Sequence, residues 1–259
     1  MTAAALSEAG GSKGQRIAGA LAWAGLVIAG ACGIVELIAG PAYRLRWWGL
    51  GSAFQAMEWA VFVDAGAIVV ALAAAILAYK VRARRALFVS VAGLIVSVVV
   101  AGPPVYLWRQ AEGLPLIHDI TTDIGNPPRF VAVVPLRNGA SNSTDYSAVT
   151  AALQRQGYPD IGPASLNVPP VQALQLAERA ARALGWEIVA VAPDDLRIEA
   201  TDTTPMFGFK DDIVIRVTAS GSGSRVDARS LSRIGSSDLG ANAKRIRSFM
   251  RELDASKSK

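Results

Sequence analysis

The chain has 259 residues, of which 52% are hydrophobic and 18% charged, whereas soluble domains usually carry about 25% charged residues. The apolar content excludes a disordered chain, and the single cysteine, Cys32, excludes a disulfide-stapled fold. The net charge is +5: 8 basic and 4 acidic residues precede Leu107, and 18 basic and 17 acidic residues follow it. The C-terminal part is therefore nearly neutral, which does not indicate a nucleic-acid-binding domain.

Three stretches are long and apolar enough to cross a bilayer: 17–39, 59–79 and 86–108. A helix needs roughly 20 apolar residues to span a hydrocarbon core of about 30 Å. Aromatic residues follow the first stretch and close the third, as expected at a membrane interface: Tyr43, Trp47, Trp48, Tyr106 and Trp108. The sequence therefore predicts three transmembrane helices within 17–108, preceded by the segment 1–16.

The basic residues around these stretches predict their orientation. One side has six of them, Lys13, Arg16, Lys80, Arg82, Arg84 and Arg85, and the other has three, Arg44, Arg46 and Arg109. Lysine and arginine near membrane spans are retained in the cytoplasm. We therefore expect residues 1–16 in the cytoplasm and residues 109–259 outside it, in the periplasm if the membrane is a bacterial inner membrane.

Three acidic residues, Glu36, Glu58 and Asp64, fall near the predicted outer ends of the first two spans. An ionised, unpaired carboxylate in hydrocarbon costs several kcal/mol. We expect these acids to pair with Arg44, Arg46 or lipid headgroups. An ion or proton path is the alternative, which the lack of a repeated half disfavours.

Residues 109–259 predict one extramembrane α+β domain with an antiparallel sheet of about four strands. Four segments alternate apolar and polar residues and are separated by short turns: 186–191, 196–203, 213–219 and 225–231. Counting outward from the last turn places Arg216 opposite Asp227. Residues 112–145 lack a helical period and predict an extended segment with a short strand near 130–134.

Three helices are predicted in the same domain. Apolar residues recur at helical spacing behind two prolines, which predicts an amphipathic helix over 170–184 with Gly185 just past its end. A shorter helix is predicted over 145–156, and a last one after an N-cap at Ser237. On the last helix, Ile246, Phe249, Met250 and Leu253 are expected to face inward, and Lys244, Arg245, Arg247 and Arg251 outward.

The single histidine, His118, stands close to two acids just after the third span. Imidazole titrates near neutral pH and a carboxylate can orient it, so His118 with Asp119 or Asp123 is a candidate catalytic base or metal ligand. The domain has no second histidine, no cysteine and no known catalytic motif. The sequence therefore favours a structural or ligand-contacting role for His118 and predicts neither a metal site nor a cofactor.

A loop between two predicted strands carries Phe207-Gly208-Phe209 followed by three charged residues. It is either a hydrophobic anchor or a docking tip that presents charge to a ligand or partner.

Arg229 and Arg233 lie near the end of the last predicted strand. They either pair with the acids of this loop or bind an anionic group, because guanidinium recognises carboxylate and phosphate through two hydrogen bonds. The candidate ligand-binding residues are Lys210, Asp211, Asp212, Arg229 and Arg233.

Several separate motifs occur in order along the C-terminal domain. They are His118 to Asp123, Asn126-Pro127-Pro128, Tyr158-Pro159-Asp160, Phe207 to Asp212, and Ser230 to Gly240 followed by Asn242 and Arg245 to Arg247. This pattern resembles the domain-of-unknown-function family 1499 (DUF1499) over about residues 114–253. The resemblance implies a domain of bacteria and plastids, in a form similar to alphaproteobacterial membrane proteins with three preceding spans. It implies no particular reaction.

Three functions remain open. The favoured one is a membrane-anchored, non-enzymatic module whose extracytoplasmic domain binds a partner protein, a lipid headgroup or a small anionic ligand, because no catalytic constellation is present. The second is an envelope hydrolase that uses His118 with Asp119 or Asp123. The third is a subunit of a membrane transport or assembly complex. A pocket that gathers His118, Lys210, Asp212 and Arg233 would favour ligand binding.

Overall fold

The computed structural model describes residues 3–256, with side chains from residue 13 onward, and divides the chain into two compact units with their sequence boundary at Arg109. The first unit consists of three helices: α1 Ala3–Arg44, α2 Leu50–Lys80 and α3 Arg84–Ala111. All three are long and apolar enough to cross a membrane, which confirms the three predicted helices. α2 begins nine residues before the predicted apolar stretch, because the residues before Trp59 include good helix formers such as Ala, Gln and Met.

Small residues line the contacts between these helices. A Cβ added at Gly25 of α1 would come 3.2 Å from the Cβ of Ala71 on α2, and one added at Gly93 of α3 would come 3.3 Å from the backbone nitrogen of Leu26. Large apolar side chains such as Trp23 and Phe88 are exposed on the outside. Close approach of small residues lets helices pack where lipid removes the hydrophobic driving force.

Asp64 differs from the prediction for the acids of the membrane spans. It lies well inside α2, its side chain is fully buried, and neither carboxylate oxygen has a hydrogen-bond partner within residues 13–256. The predicted pairing with Arg44 or Arg46 is therefore wrong for Asp64. Because α2 already begins at Leu50, Asp64 stands about four helical turns from the start of the helix rather than near an interface.

The second unit contains a six-stranded antiparallel sheet, which confirms the α+β class. The strands are β1 Asp119–Thr121, β2 Ala164–Leu166, β3 Glu187–Ala192, β4 Arg197–Thr203, β5 Lys210–Ser220 and β6 Gly223–Ser232. Their order is β1-β6-β5-β4-β3, with β2 also pairing with β6. Arg216 lies opposite Asp227, as predicted. The sheet has two strands more than predicted because β1 and β2, at three residues each, are too short to show alternation.

Three helices and a 3-10 turn complete this unit: α4 Ala148–Gly157, α5 Pro170–Ala183, α6 Ala241–Ala255 and the turn Val134–Leu136.

The prediction of a strand near 130–134 is wrong. Backbone N–H groups there donate to a side chain of β4 instead of to another strand. The predicted start of the last helix is also wrong. The carboxylate of Asp238, not Ser237, accepts the N–H groups of Gly240 and Asn242, at 2.8 and 2.9 Å.

Arg245 of α6 is also placed differently from the prediction. It is buried instead of outward-facing, and its guanidinium donates to Asp202 at 2.9 Å and to Asp211 at 2.6 Å. These two acids are cross-strand partners on β4 and β5. Their paired carboxylates draw the arginine of the helix onto the sheet, an effect that helical spacing alone does not reveal.

The two faces of the sheet differ in chemistry. On one face, Ile198, Ile213 and Ile215 pack with α5 and with Phe249 of α6 to form the main core. The other face carries charged residues and is covered by residues 122–146, called the covering segment below. Alternate residues of a strand point to opposite faces, so one set of strands supplies both surfaces.

Candidate functional site

The covered face of the sheet holds four buried carboxylates. They come from β1, β4, β5 and β6 and belong to Asp119, Glu199, Asp212 and Asp227. A buried charge is costly unless it is paired and hydrogen-bonded. In this domain, arginine side chains and backbone N–H groups of the covering segment supply the partners.

Glu199 holds the middle of the covering segment through its backbone. Val131, Ala132 and Val133 each donate an N–H to the carboxylate at 3.0 Å, and Nε of Arg197 donates at 2.9 Å. These N–H groups lead into the turn Val134–Leu136, where a negative charge is favourable because the first N–H groups of a helical turn lack partners within it. Glu199 therefore fixes the covering segment to β4.

Asp212 joins the covering segment to the end of β6. Its carboxylate accepts from Nη1 of Arg137 at 2.5 Å, from Nε and Nη2 of Arg233 at 3.0 and 2.8 Å, and from the hydroxyl of Thr201 at 2.8 Å. Two guanidinium groups thus share one fully buried carboxylate. The arrangement ties three separate segments together.

Asp227 is held by a second arginine pair. Nε of Arg225 donates at 2.9 Å, Nη2 of Arg216 at 3.1 Å and the hydroxyl of Thr122 at 3.0 Å. Burial acts to raise the pKa of Asp227, but these hydrogen bonds outweigh it and lower that pKa from its ordinary value. Asp123 lies against the same two arginines, at 3.0 and 3.2 Å.

Arg229 lies at the centre of the candidate site. Its guanidinium donates twice to Asp119, at 3.0 and 2.7 Å, and the rings of Phe130 and Tyr146 lie 5.0 and 5.4 Å from its central carbon. Burial raises the pKa of Asp119, and the hydrogen bonds from Arg229 act in the opposite direction. Arg229 also donates to the carbonyl of Thr144 at 2.7 Å. It is therefore satisfied by the protein itself and forms one wall of a cavity.

A cavity of about 500 Å³ opens beside this wall. It is lined by Pro127, Arg129, Phe130, Thr144, Asp145, Tyr146 and Arg229. Burial raises the pKa of Tyr146, so its phenol stays neutral, and its hydroxyl donates to Gln154 at 2.9 Å. Arg129 differs from the arginines that pair with the four buried carboxylates: it is exposed and makes no hydrogen bond or ion pair with any residue whose side chain the structure describes.

Two other cavities differ from this one in lining or in volume. One of about 620 Å³ lies between β2 and α5 and has only one charged residue, Arg179, in a lining of amide, hydroxyl and aliphatic groups. One of about 270 Å³ lies beside α6 and has Trp186 and the exposed Lys244 in its lining, but its volume falls below the usual range of about 300 to 1,000 Å³ for small-molecule sites, and the guanidinium of Arg245 is already paired with two acids. The cavity at Arg129 combines an unpaired guanidinium, aromatic walls and a volume in the usual range for small-molecule sites, and it is therefore the candidate site.

Residues 119–253 match the model of a protein family described as "Protein of unknown function (DUF1499)". The match covers just over half of the chain. The chain belongs to the DUF1499 family. The DUF1499 region begins at Asp119, the partner of Arg229, and ends at Leu253 of α6, so it contains the whole sheet, the covering segment and the cavity. No curated protein matches the chain.

The predicted catalytic residues of the DUF1499 domain have separate partners. Nδ1 of His118 lies 3.4 Å from the carbonyl oxygen of Ser236, whereas the carboxylate of Asp119 bonds Arg229 and that of Asp123 bonds Arg216. Both carboxylates proposed to orient the imidazole are thus held by arginines. Within residues 13–256, no group of three His, Cys, Asp or Glu side chains is placed to hold a metal ion.

The predicted ligand-binding residues divide between the two faces of the sheet. Asp212 and Arg233 pair with each other on the covered face, whereas Asp211 bonds Arg245 on the helix face. Lys210 is exposed at the start of β5. Of the five, only Arg229 lines the candidate cavity.

Sequence reasoning missed Arg129, Phe130 and Tyr146. All three lie in the covering segment, which has no helical or strand period to indicate where its side chains point. The one available signal was the motif Asn126-Pro127-Pro128 directly before Arg129, because consecutive prolines fix the backbone of a loop.

Proposed function

We propose that this protein is a membrane-anchored, non-enzymatic binding module that takes a small anionic ligand, a phosphate ester or a carboxylate, into the cavity at Arg129. The observation that carries the proposal is the unpaired guanidinium of Arg129 at a cavity whose other arginine, Arg229, is fully engaged. Guanidinium binds carboxylate and phosphate through two parallel hydrogen bonds. Volumes of about 300 to 1,000 Å³ are usual for small-molecule sites.

The walls narrow the chemistry of the ligand further. Phe130 and Tyr146 offer ring surface to an apolar or planar part of a ligand, next to the charge of Arg129. Asp145 lies in the same wall and would repel a bare dianion, whereas it would accept a hydrogen bond from an ammonium or hydroxyl group. The best fit is an anion that also carries a donor, as in phosphoethanolamine, whether free or as a lipid headgroup.

Calorimetric titration of the full chain in nanodiscs with O-phosphoethanolamine tests this function. We expect the Arg129→Ala variant to bind at least about tenfold more weakly, a loss of about 1.4 kcal/mol. Arg251→Ala is the matched control, since Arg251 is an exposed arginine on α6, outside the cavity. Equal affinity of wild type and Arg129→Ala would contradict the proposal.

We further propose that the membrane is a bacterial inner membrane and that the DUF1499 domain lies in the periplasm. The support is the six-to-three distribution of basic residues described above, with residues such as Arg84 and Arg85 on the cytoplasmic side. A reporter enzyme that is active only outside the cytoplasm, fused after Lys259, should be active in the host cell. Activity only of a cytoplasmic reporter at the same position would reverse the orientation.

A further inference from the structure

Four large apolar side chains are exposed at one end of the sheet. Leu116 is 75% exposed, Leu136 51%, Met206 38% and Leu239 56%. They come from four separate segments, so their grouping results from the fold and not from one apolar run. Exposed single apolar residues are common, but several together mark a contact surface.

Backbone hydrogen bonds place these segments at the same end. The carbonyl of Ile117, next to Leu116, accepts the N–H of Asp238, next to Leu239, at 3.1 Å. Arg233, just past the end of β6, donates its N–H to the carbonyl of Lys210 at 3.0 Å and its guanidinium to the carbonyl of Leu136 at 2.7 Å. Lys210 follows the short loop that contains Met206. The end of β6 and the start of β5 therefore gather all four residues.

The length of the chain limits how far this end can lie from the membrane. α3 ends at Ala111, and Leu116 follows five residues later. Fully extended, five residues reach at most about 18 Å. Because α3 is long and apolar enough to span a membrane, Leu116 can lie no farther than this from the end of a membrane helix.

One charged residue of the same end suits a lipid surface. Lys210 is exposed and forms no ion pair within the part of the chain that the structure describes. A lysine at this position complements the phosphates and anionic headgroups of a bilayer surface.

We propose that Leu116, Leu136, Met206, Leu239 and Lys210 form a bilayer-docking rim. The apolar side chains enter the interfacial layer of the membrane, and Lys210 meets anionic headgroups. The rim is separate from the cavity at Arg129, so each proposal can fail without the other.

Site-directed fluorescence on the full chain tests the rim. Starting from Cys32→Ala, the variants Leu116→Cys, Leu136→Cys and Leu239→Cys are labelled with a polarity-sensitive dye in nanodiscs of phosphatidylethanolamine and phosphatidylglycerol. Val171→Cys is the matched control, because Val171 is 59% exposed and lies in the first turn of α5, away from the rim. The nearby carbonyl of Val168 accepts a hydrogen bond from Ser224, which lies at the opposite end of β6.

We expect blue-shifted emission and quenching by headgroup-region nitroxide lipids at the three rim positions, and neither effect at the Val171 position. Adding Lys210→Gln should reduce the quenching only in nanodiscs that contain phosphatidylglycerol. Three rim positions on separate segments keep the test valid if one variant fails to fold. Rim labels that behave like the control would overturn the proposal, as would rim labels shielded from water but unquenched by lipid.

Discussion

Asp119 and Arg229 lie on neighbouring strands and are joined by two hydrogen bonds, 3.0 and 2.7 Å long, with both side chains buried. The pair holds the guanidinium of Arg229 between Phe130 and Tyr146, and so sets the distance between the two aromatic walls of the cavity. Asp119 therefore shapes the candidate site without lining it.

Removing Asp119 should be strongly destabilising, because Arg229 would remain buried without its charge partner. We expect Asp119→Ala to lower the free energy of unfolding of the DUF1499 domain by about 3 to 5 kcal/mol. Urea titration of the full chain in detergent, followed by circular dichroism of the sheet, measures this. Asp194→Ala, at an exposed turn position, should change stability by less than about 0.5 kcal/mol, and equal effects of the two substitutions would contradict the pairing.

The lowered pKa of Asp227 predicts how stability depends on pH. The folded domain holds this carboxylate ionised more strongly than the unfolded chain does, so its contribution is present at neutral pH and is lost as pH falls through the folded pKa. We expect Asp227→Asn to be less stable than wild type at pH 7, with the difference shrinking below about pH 4. Denaturation curves across this range would refute the assignment if the difference stayed constant.

Glu199 should control the order of the covering segment. In Glu199→Ala, the N–H groups of Val131 and Val133 lose their acceptor, and we expect their amide hydrogen exchange to accelerate by about tenfold or more, the equivalent of at least about 1.4 kcal/mol. Mass spectrometry of peptides from this segment measures the change. Glu187→Ala, at an exposed position of β3, is the control and should leave exchange there unchanged.

Packing of the membrane helices offers a comparison between two glycines of α1. Gly25→Val should lower the free energy of unfolding of the helical unit by about 1 to 3 kcal/mol, because the new side chain would meet the backbone of Ala71. Gly30→Val should have little effect, since no atom lies within 4 Å of an added Cβ there. Equal melting temperatures of the two variants in the same detergent would show that this contact does not hold the helices together.

The elements with a regular pattern could be predicted from sequence. The three apolar stretches, the helix over 170–184 and the register of Arg216 against Asp227 all follow from periodicity and short turns, and the structure confirms them. β1 and β2 could not be predicted in this way, because three residues carry no measurable period.

The candidate site was harder to predict because its residues depend on tertiary pairing. Sequence reasoning identified Arg229 as a candidate but not Arg129, although the two line the same cavity. Which arginine is free depends on which carboxylate lies opposite each one, as Asp119 does for Arg229. That information is distributed over segments about a hundred residues apart in the chain.

Arginine-selective ¹⁵N NMR of the full chain in nanodiscs tests the binding site most directly. On titration with O-phosphoethanolamine, we expect the Nε–H resonance of Arg129, assigned through Arg129→Lys, to shift and saturate, while that of Arg251 stays in place. A saturating shift confined to other arginines, or no shift at all, would contradict a ligand site at Arg129.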